Sequence, residues 1–396
     1  MRIDSIRMTN FKRFTDLLIR GIPATAKLIV IVGPNGCGKS SLFDAFVTWY
    51  RVRAGIGFND DQYYQKHIRE PFNLNQTVEV KLHGNPPPLK GCLYVRTAYR
   101  NDPDFAVGGI NRPTNPAEGI RVSRAIENDQ AVGENYGRLI YETMAGVYDP
   151  ANEAKTVGAF RQELIGEIRD SMRRVFGDLV LNNISDPLGA GGAFHFDKGT
   201  ANAYHYKNLS GGEKAAFDLL LDLHVKKRFY QDAAYCIDEL ETHLHTKVQG
   251  TLLKELVRIV PVDSQLLVTT HSLGVLRAAQ EMMAADPASV CLIDFEGLDP
   301  DSPGELIPSS IGRVTWEKLL SVTLDDLSTR IAPKTVVVCE GSSVGNRRKD
   351  CERYINPIFN GGKAGGRVGG HEQTCFFSAG EVARDDRAAE SRGVGR

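Results

Sequence analysis

Residues 33–41 read GPNGCGKSS, and this stretch decides the fold of the chain. It follows the apolar run 28–32 and precedes the periodic segment 42–50, which predicts a strand, a glycine-rich loop and a helix. Glycine lets backbone N–H groups converge on an anion, because a residue without a Cβ accepts positive φ. The following helix N-terminus adds partial positive charge. The stretch therefore predicts a site for the phosphates of a nucleoside triphosphate.

Two side chains of this loop have predicted roles of their own. Lys39 places a cation against the β- and γ-phosphates, and the Ser40 hydroxyl offers one ligand to Mg²⁺. We therefore predict ATP and Mg²⁺ as cofactors. The predicted nucleotide-binding residues are Asn35, Gly36, Cys37, Gly38, Lys39, Ser40 and Ser41.

Composition narrows the class of protein. The chain has 396 residues and a net charge of −1, so no global basic field draws it onto nucleic acid, and any such surface must be a local patch. Its seven cysteines are scattered without a CxxC pair, which fits a reducing cytoplasm. No apolar run reaches the roughly 18 residues of a membrane span, and no signal peptide is apparent. We expect a soluble, cytoplasmic protein without a membrane partner.

The segments around the loop predict a mixed α/β architecture. Residues 1–18 alternate apolar and polar positions, which predicts two antiparallel strands before the loop strand. Residues 54–150 predict a β-rich lobe with strands at 77–82 and 91–98 around a proline-rich turn. Residues 153–176 predict one amphipathic helix.

Several polar residues in this region are open to two interpretations. Lys12 and Arg13 either approach the nucleotide or guard a solvated strand edge. Arg96 and Arg100 either contact nucleotide or a partner, or are surface charges, and the second interpretation is favoured. Residues 62 and 65 are glutamines that could sense magnesium, but no apolar strand leads into them, so this role stays unassigned.

Residues 208–214, NLSGGEK, open an apolar segment and resemble the signature motif of ABC-type ATPases. The resemblance implies that Ser210, Gly211, Gly212 and Glu213 bind the γ-phosphate held by the phosphate loop of the opposite subunit. Judged by residue chemistry alone, Ser210 is a helix N-cap and Glu213 completes a capping box. The two interpretations are compatible.

Two further strand ends complete the resemblance. Residues 233–237 form an apolar run that ends in Asp238 and Glu239, as a Walker B strand does, with Asp238 holding Mg²⁺ and Glu239 polarising the attacking water as general base. Residues 265–269 form another apolar run, and His271 after it looks like the switch histidine of the family. The predicted catalytic residues are thus Glu239 and His271, and the predicted metal ligands are Ser40 and Asp238.

The segment LETHLH, residues 240–245, resembles the part of soluble ABC ATPases that lies at the dimer interface. Glu241, His243 and His245 could also suggest a zinc site. A zinc cage needs three or four convergent donors, and no full set is apparent in the sequence, so zinc is disfavoured.

The order of the motifs and the NFKRF opening make the chain similar to the soluble SMC, RecF and OLD-type ATPases. The implied fold is an α/β ABC-type P-loop domain with a mixed sheet, flanking helices, a β-rich N-terminal lobe and a helical insert. We expect this domain at 1–332, with the insert at about 54–205. The resemblance implies a homodimer, head to tail around ATP, and a role in antiviral defence or DNA transactions. A higher oligomer, a partner nuclease or effector, and DNA remain open as partners.

The C-terminus resembles a second family in part. A strand predicted at 335–339 ends in Glu340, as the opening strand of a toprim domain does, and a second strand is predicted at 374–378. Toprim nucleases add a DxD carboxylate pair, which is absent here, since only Asp385 and Asp386 follow. We expect residues 333–396 to be a partial toprim-like segment with a poorly ordered end. A turn former is the favoured interpretation of Glu340.

Three other functions remain open at this point. An ATP-gated toprim nuclease would use Glu340. A transporter motor subunit would need an exposed apolar groove for a membrane partner. A scaffold would bind ATP without hydrolysing it.

Overall fold

The computed structural model describes most of the first 312 residues and three strands near the C-terminus. The described residues are 1–56, 64–68, 76–85, 90–100, 103, 105, 111–119, 132–184, 194–312, 315–316, 336–340, 353–356 and 374–376. The chain divides into two compact units, Met1–Arg313 and Val314–Arg396. The predicted nucleotide site lies in the first unit.

The described part of the first unit contains twelve strands and six α-helices. The strands are β1 (Ile3–Phe11), β2 (Phe14–Ile19), β3 (Leu28–Val32), β4 (Val78–Leu82), β5 (Leu93–Arg96), β6 (Leu179–Ile184), β7 (Phe194–Lys198), β8 (Ala201–His205), β9 (Ala234–Ile237), β10 (Gln265–Thr270), β11 (Val290–Asp294) and β12 (Pro303–Leu306). The helices are α1 (Lys39–Arg53), α2 (Glu134–Val147), α3 (Val157–Phe176), α4 (Gly211–Lys226), α5 (Thr246–Ile259) and α6 (Leu273–Ala285).

A five-stranded parallel sheet forms the centre of this unit, in the order β11-β3-β10-β9-β5. Every residue of β3 and β9 is buried, as expected for parallel strands that are covered on both faces. Because the strands are parallel, their carboxyl ends all meet at one edge of the sheet. The loops that follow β3, β9 and β10 therefore lie beside one another.

A mixed sheet in the order β12-β2-β1-β4, with β12 parallel to β2 and the other two pairs antiparallel, contacts the phosphate loop through Phe14. The two antiparallel strands predicted in residues 1–18 are confirmed as β1 and β2. Phe11 and Phe14 at their shared turn are buried, and the Phe14 ring lies 6.3 Å from that of Phe295. This contact places the turn next to the chain that follows β11.

A third sheet, β6-β7-β8, packs with α3 on the helical side of the unit. The predicted amphipathic helix is confirmed as α3, and the Thr156 hydroxyl caps it by accepting a hydrogen bond from the Ala159 N–H at 3.1 Å. Phe194 and Phe196 of β7 both pack on Phe217 of α4, with ring centroids 4.9 Å apart in each pair. These contacts fix α4, which begins at the signature stretch, against the sheet.

The structure corrects the prediction that 77–82 and 91–98 are strands of one β-rich lobe. Both strands form, but β4 pairs antiparallel with β1 in the mixed sheet, whereas β5 pairs with β9 in the parallel sheet. The helix α2 in this region was not predicted. Strand β5 is buried along its whole length. The apolar run in its sequence was the feature that could have predicted a central strand of a parallel sheet.

Arg96 at the end of β5 also differs from the favoured prediction of a surface charge. Its side chain is 1% exposed, and its Nη1 lies 3.4 Å from Oδ2 of Asp222, which is fully buried. Lys226 Nζ lies 2.8 Å from Asp222 Oδ1, and Asn135 Nδ2 donates a 2.6 Å hydrogen bond to the same oxygen. Arg96 therefore belongs to a buried charged cluster that joins β5, α2 and α4.

The second unit contains β13 (Val336–Glu340), β14 (Arg353–Asn356) and β15 (Thr374–Phe376) in its described part. β13 pairs antiparallel with both neighbours, in the order β14-β13-β15. The strands predicted at 335–339 and 374–378 thus form, and Glu340 is the last residue of β13. The proline-rich turn at 86–88 and the aspartates 385 and 386 lie outside the described residues.

Candidate functional site

The loop between β3 and α1 has the backbone conformation that its glycines predict. Gly33, Gly36 and Gly38 have φ values of 149°, 74° and 110°. A Cβ on Gly38 would lie 2.2 Å from Cζ of Phe14, so a larger residue does not fit there. Gly38 is also the N-cap of α1 and offers no side-chain acceptor. The N–H groups of the first helical turn are therefore suited to bind an anion.

Lys39 lies inside this loop. Its side chain is largely buried, and its Nζ donates hydrogen bonds to the Gly33 carbonyl at 2.8 Å and the Pro34 carbonyl at 3.0 Å. The ammonium group thus faces the concave side of the loop, where it can exchange these neutral acceptors for phosphate oxygens.

Ser40 and Asp238 meet at the edge of the parallel sheet. The Ser40 hydroxyl donates a 2.7 Å hydrogen bond to Asp238 Oδ2, and the Thr269 hydroxyl donates a 2.5 Å hydrogen bond to Oδ1. Burial raises the pKa of Asp238, while the two hydroxyl donors act in the opposite direction. A buried carboxylate beside a hydroxyl is a donor set that suits Mg²⁺, so the residues present fit the expected metal.

Glu239 follows Asp238 in a left-handed conformation with φ of 44°. Its N–H donates to Thr269 Oγ1 at 2.8 Å, and Arg100 Nη2 donates to the carbonyls of Asp238 at 2.9 Å and Glu239 at 3.3 Å. These bonds hold the backbone from which the Glu239 side chain projects. Sequence reasoning missed Thr269, which nothing in its apolar run distinguishes, and favoured a surface position for Arg100.

His271 follows β10, the strand between β3 and β9. Its backbone N–H donates a 2.7 Å hydrogen bond to Glu241 Oε1, and its ring Nδ1 lies 3.5 Å from the same oxygen. The imidazole remains 42% exposed. Glu241, for which only a zinc role had been weighed, therefore fixes the position of His271. His245 caps α5, with Nδ1 accepting from the Lys247 N–H at 3.3 Å. Within the described chain no three His, Cys, Asp or Glu side chains converge as a metal cluster would.

The signature residues begin α4. The predicted capping box is present: the Ser210 hydroxyl accepts from the Glu213 N–H at 3.4 Å, and Glu213 Oε2 accepts from the Ser210 N–H at 2.9 Å. Lys198 Nζ lies 2.8 Å from Glu213 Oε1. A Cβ on Gly212 would lie 2.7 Å from the His243 carbonyl oxygen, whereas one on Gly211 would meet nothing within 4 Å. The open face of this helix start is thus at Gly211.

The structure brings some predicted site residues together and leaves others apart. Ser40 and Asp238 are in direct contact, and Glu239 and His271 leave the same sheet edge from neighbouring strands. Among the described residues, no hydrogen bond or ion pair joins residues 210–213 to residues 33–41. Lys12, which we had weighed as a nucleotide contact, forms an ion pair with Asp44 of α1. Arg13 Nη1 would lie 3.7 Å from a Cβ on Gly36, so it lies beside the loop.

Two family models match the chain, and both describe AAA domains. The model "AAA domain, putative AbiEii toxin, Type IV TA system" matches residues 133–277, and a second model, "AAA domain", matches residues 5–69. With the phosphate loop on a parallel sheet, these matches show an α/β P-loop ATPase fold in which residues 5–69 and 133–277 are similar to AAA domains.

Curated relatives match over short stretches. The chromosome partition protein Smc of Bordetella petrii is 45% identical over 49 residues, which is 12% of this chain and 4% of that protein. UvrABC system protein A of Streptococcus pneumoniae is 38% identical over 79 residues, 20% of this chain and 8% of that protein. The chain therefore spans less than a tenth of the length of these relatives.

The chain also resembles two solved structures in part. The SMC head domain from Thermotoga maritima has a TM-score of 0.40 and 16% identity, covering 78% of this chain and all of that one. An Smc head bound to the C-terminal winged-helix domain of ScpA has a TM-score of 0.44 and 13% identity, covering 80% of this chain and all of that one. None of the helices described for this chain is both long and apolar enough to cross a membrane.

Proposed function

We propose that the chain hydrolyses ATP with Mg²⁺ in composite sites that form when two copies dimerise head to tail around two ATP molecules. The observation that carries this proposal is the hydrogen bond between Ser40 and Asp238. It joins the phosphate loop to the acidic end of β9, and these are the two elements that must share one phosphate-bound cation. When bound there, Mg²⁺ neutralises phosphate charge.

The residues of the chain then have distinct roles in the proposed reaction. The loop N–H groups and Lys39 bind the β- and γ-phosphates. Glu239 accepts a proton from the water that attacks the γ-phosphorus, and the bond to the β-γ bridging oxygen breaks, so that ADP leaves with that oxygen. His271, held by Glu241, donates a hydrogen bond to the γ-phosphate or the attacking water.

The dimer part of the proposal rests on the signature stretch. Ser210 and Gly211 begin a 16-residue helix, and their exposed N-terminal face can bind an anion from another molecule. Residues 210–213 make no hydrogen bond or ion pair with the phosphate loop of the same chain in its described part. A second copy that brings its γ-phosphate to this helix start would complete both sites.

We place this ATPase in a bacterial antiviral-defence or DNA-transaction system. The supporting facts are the family description that mentions a toxin–antitoxin toxin, and the short matches to Smc and UvrABC system protein A. A partner nuclease or effector, DNA and a higher oligomer are the candidate partners. The described cysteines 37, 92, 236 and 291 are free, which fits the reducing cytoplasm that we propose as its location.

A second candidate function is an ATP-gated nuclease, favoured by the position of Glu340 at the end of β13. A single carboxylate does not clamp the ions that phosphodiester cleavage needs. We therefore expect no cleavage when the chain is incubated with plasmid DNA, ATP, and Mg²⁺ or Mn²⁺. Cleavage that disappears in Glu340→Ala would instead establish the nuclease.

Substitution Glu239→Gln tests the main proposal. The amide preserves the shape of the side chain but loses the basic oxygen, so turnover should fall by roughly a hundred- to ten-thousand-fold while ATP binding persists. Sizing with ATP and Mg²⁺ should then show a trapped dimer. Unchanged turnover would refute the base assignment, and a monomer under these conditions would refute the composite site.

A further inference from the structure

A cavity of about 660 Å³ lies between α2 and the segment that follows α4. It is lined by residues 112–115 and Glu118, by three residues of α2, and by Arg228 and Phe229 just after α4. A Cβ on Gly91 would lie 2.8 Å from the Phe229 carbonyl oxygen, and Gly91 comes shortly before β5 begins. The cavity is therefore near the amino ends of the strands, whereas the phosphate loop follows the carboxyl end of β3.

Three arginines, Arg112, Arg138 and Arg228, line this cavity. Arg138 is only 3% exposed, yet its Nε has no hydrogen-bond partner in the described chain. Its Nη2 donates to the neutral Thr114 carbonyl at 2.6 Å and lies 3.6 Å from a carboxylate oxygen of the exposed Glu134. A buried guanidinium with an unused donor is costly unless a ligand completes its hydrogen bonds.

The other two arginines add positive charge around the same space. Arg228 forms an ion pair with Glu142, and its pKa is lowered by burial and by the neighbouring charge of Arg138. Arg112 is exposed and forms no hydrogen bond or ion pair in the part of the chain that the structure covers. Two cations close enough to repel each other, with a third beside them, favour an anion between them.

The remaining lining narrows the class of anion. Glu118 and Glu142, the ion-pair partner of Arg228, also line the cavity, which disfavours a bare polyanion but offers acceptors to hydroxyl or amine groups. Tyr141 offers a flat aromatic ring, and the volume lies within the range of about 300–1,000 Å³ that is typical of small-molecule sites. A phosphate joined to a sugar and a base has all of the complementary groups.

We propose that this cavity, which we call the arginine pocket, binds the phosphate of a nucleotide, with Arg112, Arg138 and Arg228 as its phosphate ligands. The source can be a free mononucleotide or the 5′-phosphate end of an oligonucleotide, because both present the same groups. The pocket is remote from the phosphate loop, so this inference stands or falls independently of ATP hydrolysis.

Titration calorimetry on the full chain tests the arginine pocket, with Lys39→Ala present throughout so that the phosphate loop does not compete. The probes are AMP, pyrophosphate and a 5′-phosphorylated trinucleotide. Arg112→Glu reverses one exposed charge and should weaken binding about tenfold or more, as loss of a charge-assisted hydrogen bond does. Arg138→Gln should do the same, with its melting temperature recorded to check folding.

Arg277→Glu is the matched control, because Arg277 is an exposed arginine of α6 whose ion pair with Glu281 is also exposed. It should bind like the Lys39→Ala parent. Binding of AMP but not of the trinucleotide identifies a free nucleotide, and comparable binding of both identifies a nucleic-acid end. The proposal is overturned if no probe binds at millimolar concentration, if Arg112→Glu binds as tightly as the parent, or if Arg277→Glu loses as much affinity.

Discussion

The Ser40 hydroxyl and the Asp238 carboxylate share a 2.7 Å hydrogen bond across 198 positions of sequence. Thr269 holds the other carboxylate oxygen, so both oxygens of Asp238 are bound by neutral donors. The burial that raises the pKa of this carboxyl is opposed by hydroxyls and, more weakly, by the charge of Lys39. The hydroxyls thus hold the Asp238 carboxylate in a buried position where its negative charge is costly. A cation site requires such a carboxylate, whereas a stable core does not.

Asp238→Asn should therefore stabilise the protein while removing its activity. A carboxyl whose pKa is raised by folding costs stability once it ionises, so the cost appears as the pH rises above about 4, the pKa of an unfolded aspartate. We expect a higher melting temperature than wild type at pH 7 without divalent cations. With ATP and Mg²⁺ the wild type should gain stability by ligand binding, and the variant should gain much less.

Asp170→Asn is the control for this measurement, since Asp170 is partly exposed on α3 and its ion pair with Arg173, at 3.6 Å, is exposed as well. It should change neither the melting temperature without ligand nor the gain with ATP and Mg²⁺. If Asp238→Asn melts at a lower temperature than wild type in the absence of ligands, the carboxylate has a stabilising role that its burial does not indicate.

The two signature glycines predict different effects of an added methyl group. In Gly212→Ala the Cβ would lie 2.7 Å from the His243 carbonyl, so the first turn of α4 or the 240–245 segment must shift. We expect a loss of about 1–3 kcal/mol in the free energy of unfolding, measured by urea denaturation. Gly211→Ala has open space around it and should unfold like wild type.

The same pair of variants also addresses the composite site. If Gly211 faces the γ-phosphate of a second copy, Gly211→Ala should lower ATP turnover despite normal stability, because the methyl group occupies the surface that the phosphate approaches. Equal turnover in Gly211→Ala and wild type would show that this glycine is not at the interface.

Much of the ATPase core follows from local sequence pattern. Strands β3, β9 and β10 were predicted from apolar runs that end in glycine, acidic or histidine residues, because a buried parallel strand needs a continuous apolar run. The order of the motifs followed from the same runs. The capping box at Ser210 was also predicted from neighbouring residues alone. The contact between Ser40 and Asp238 was implied by the resemblance, and Thr269 became visible only in the structure because nothing in its own segment distinguishes it from a buried strand residue.

Buried polar residues were the hardest to predict. Arg96 was taken for a surface charge because its partners Asp222 and Lys226 are distant in sequence and look like ordinary helix residues. The polar cluster around Ser171 was missed for the same reason: its hydroxyl lies 2.8 Å from His224 Nε2 and 2.6 Å from a Glu255 oxygen. Such networks are defined by packing between helices, which periodicity does not reveal.

His224 predicts a pH dependence of stability. Burial lowers its pKa from 6.5 to about 4, and the nearby Lys227 acts in the same direction. Between pH 6.5 and pH 4, His224 is therefore protonated in the unfolded chain but neutral in the folded chain. The free energy of unfolding consequently falls as the pH falls from 6.5 towards 4. This group alone should cost roughly 2 kcal/mol between pH 7.5 and pH 5.

Urea unfolding of wild type and His224→Gln at these two pH values measures that component. The variant should be less stable at pH 7.5, because it loses the bonds to Ser171 and Glu167, but its stability should fall less on acidification. His67→Gln, at an exposed histidine, serves as control and should retain the wild-type slope. A slope in His224→Gln equal to that of wild type would mean that other groups dominate the response.

Complementation between two inactive variants tests how the sites are shared. Lys39→Ala removes the cation that faces the loop interior and should abolish ATP binding in its own chain. Ser210→Arg places a bulky cation at the exposed start of α4, so it should spare ATP binding but block the approach of a partner phosphate. Each variant alone should show no ATP turnover.

In a mixed dimer of these variants, one composite site carries both lesions and the other carries neither. ATPase activity should therefore return in part when the two chains are combined, and the recovered rate should follow the fraction of mixed dimers measured with differently tagged chains. Mixing each variant with itself provides the baseline. If mixed dimers form and no activity returns, either the signature serves the phosphate loop of its own chain or both sites must be intact for either to work.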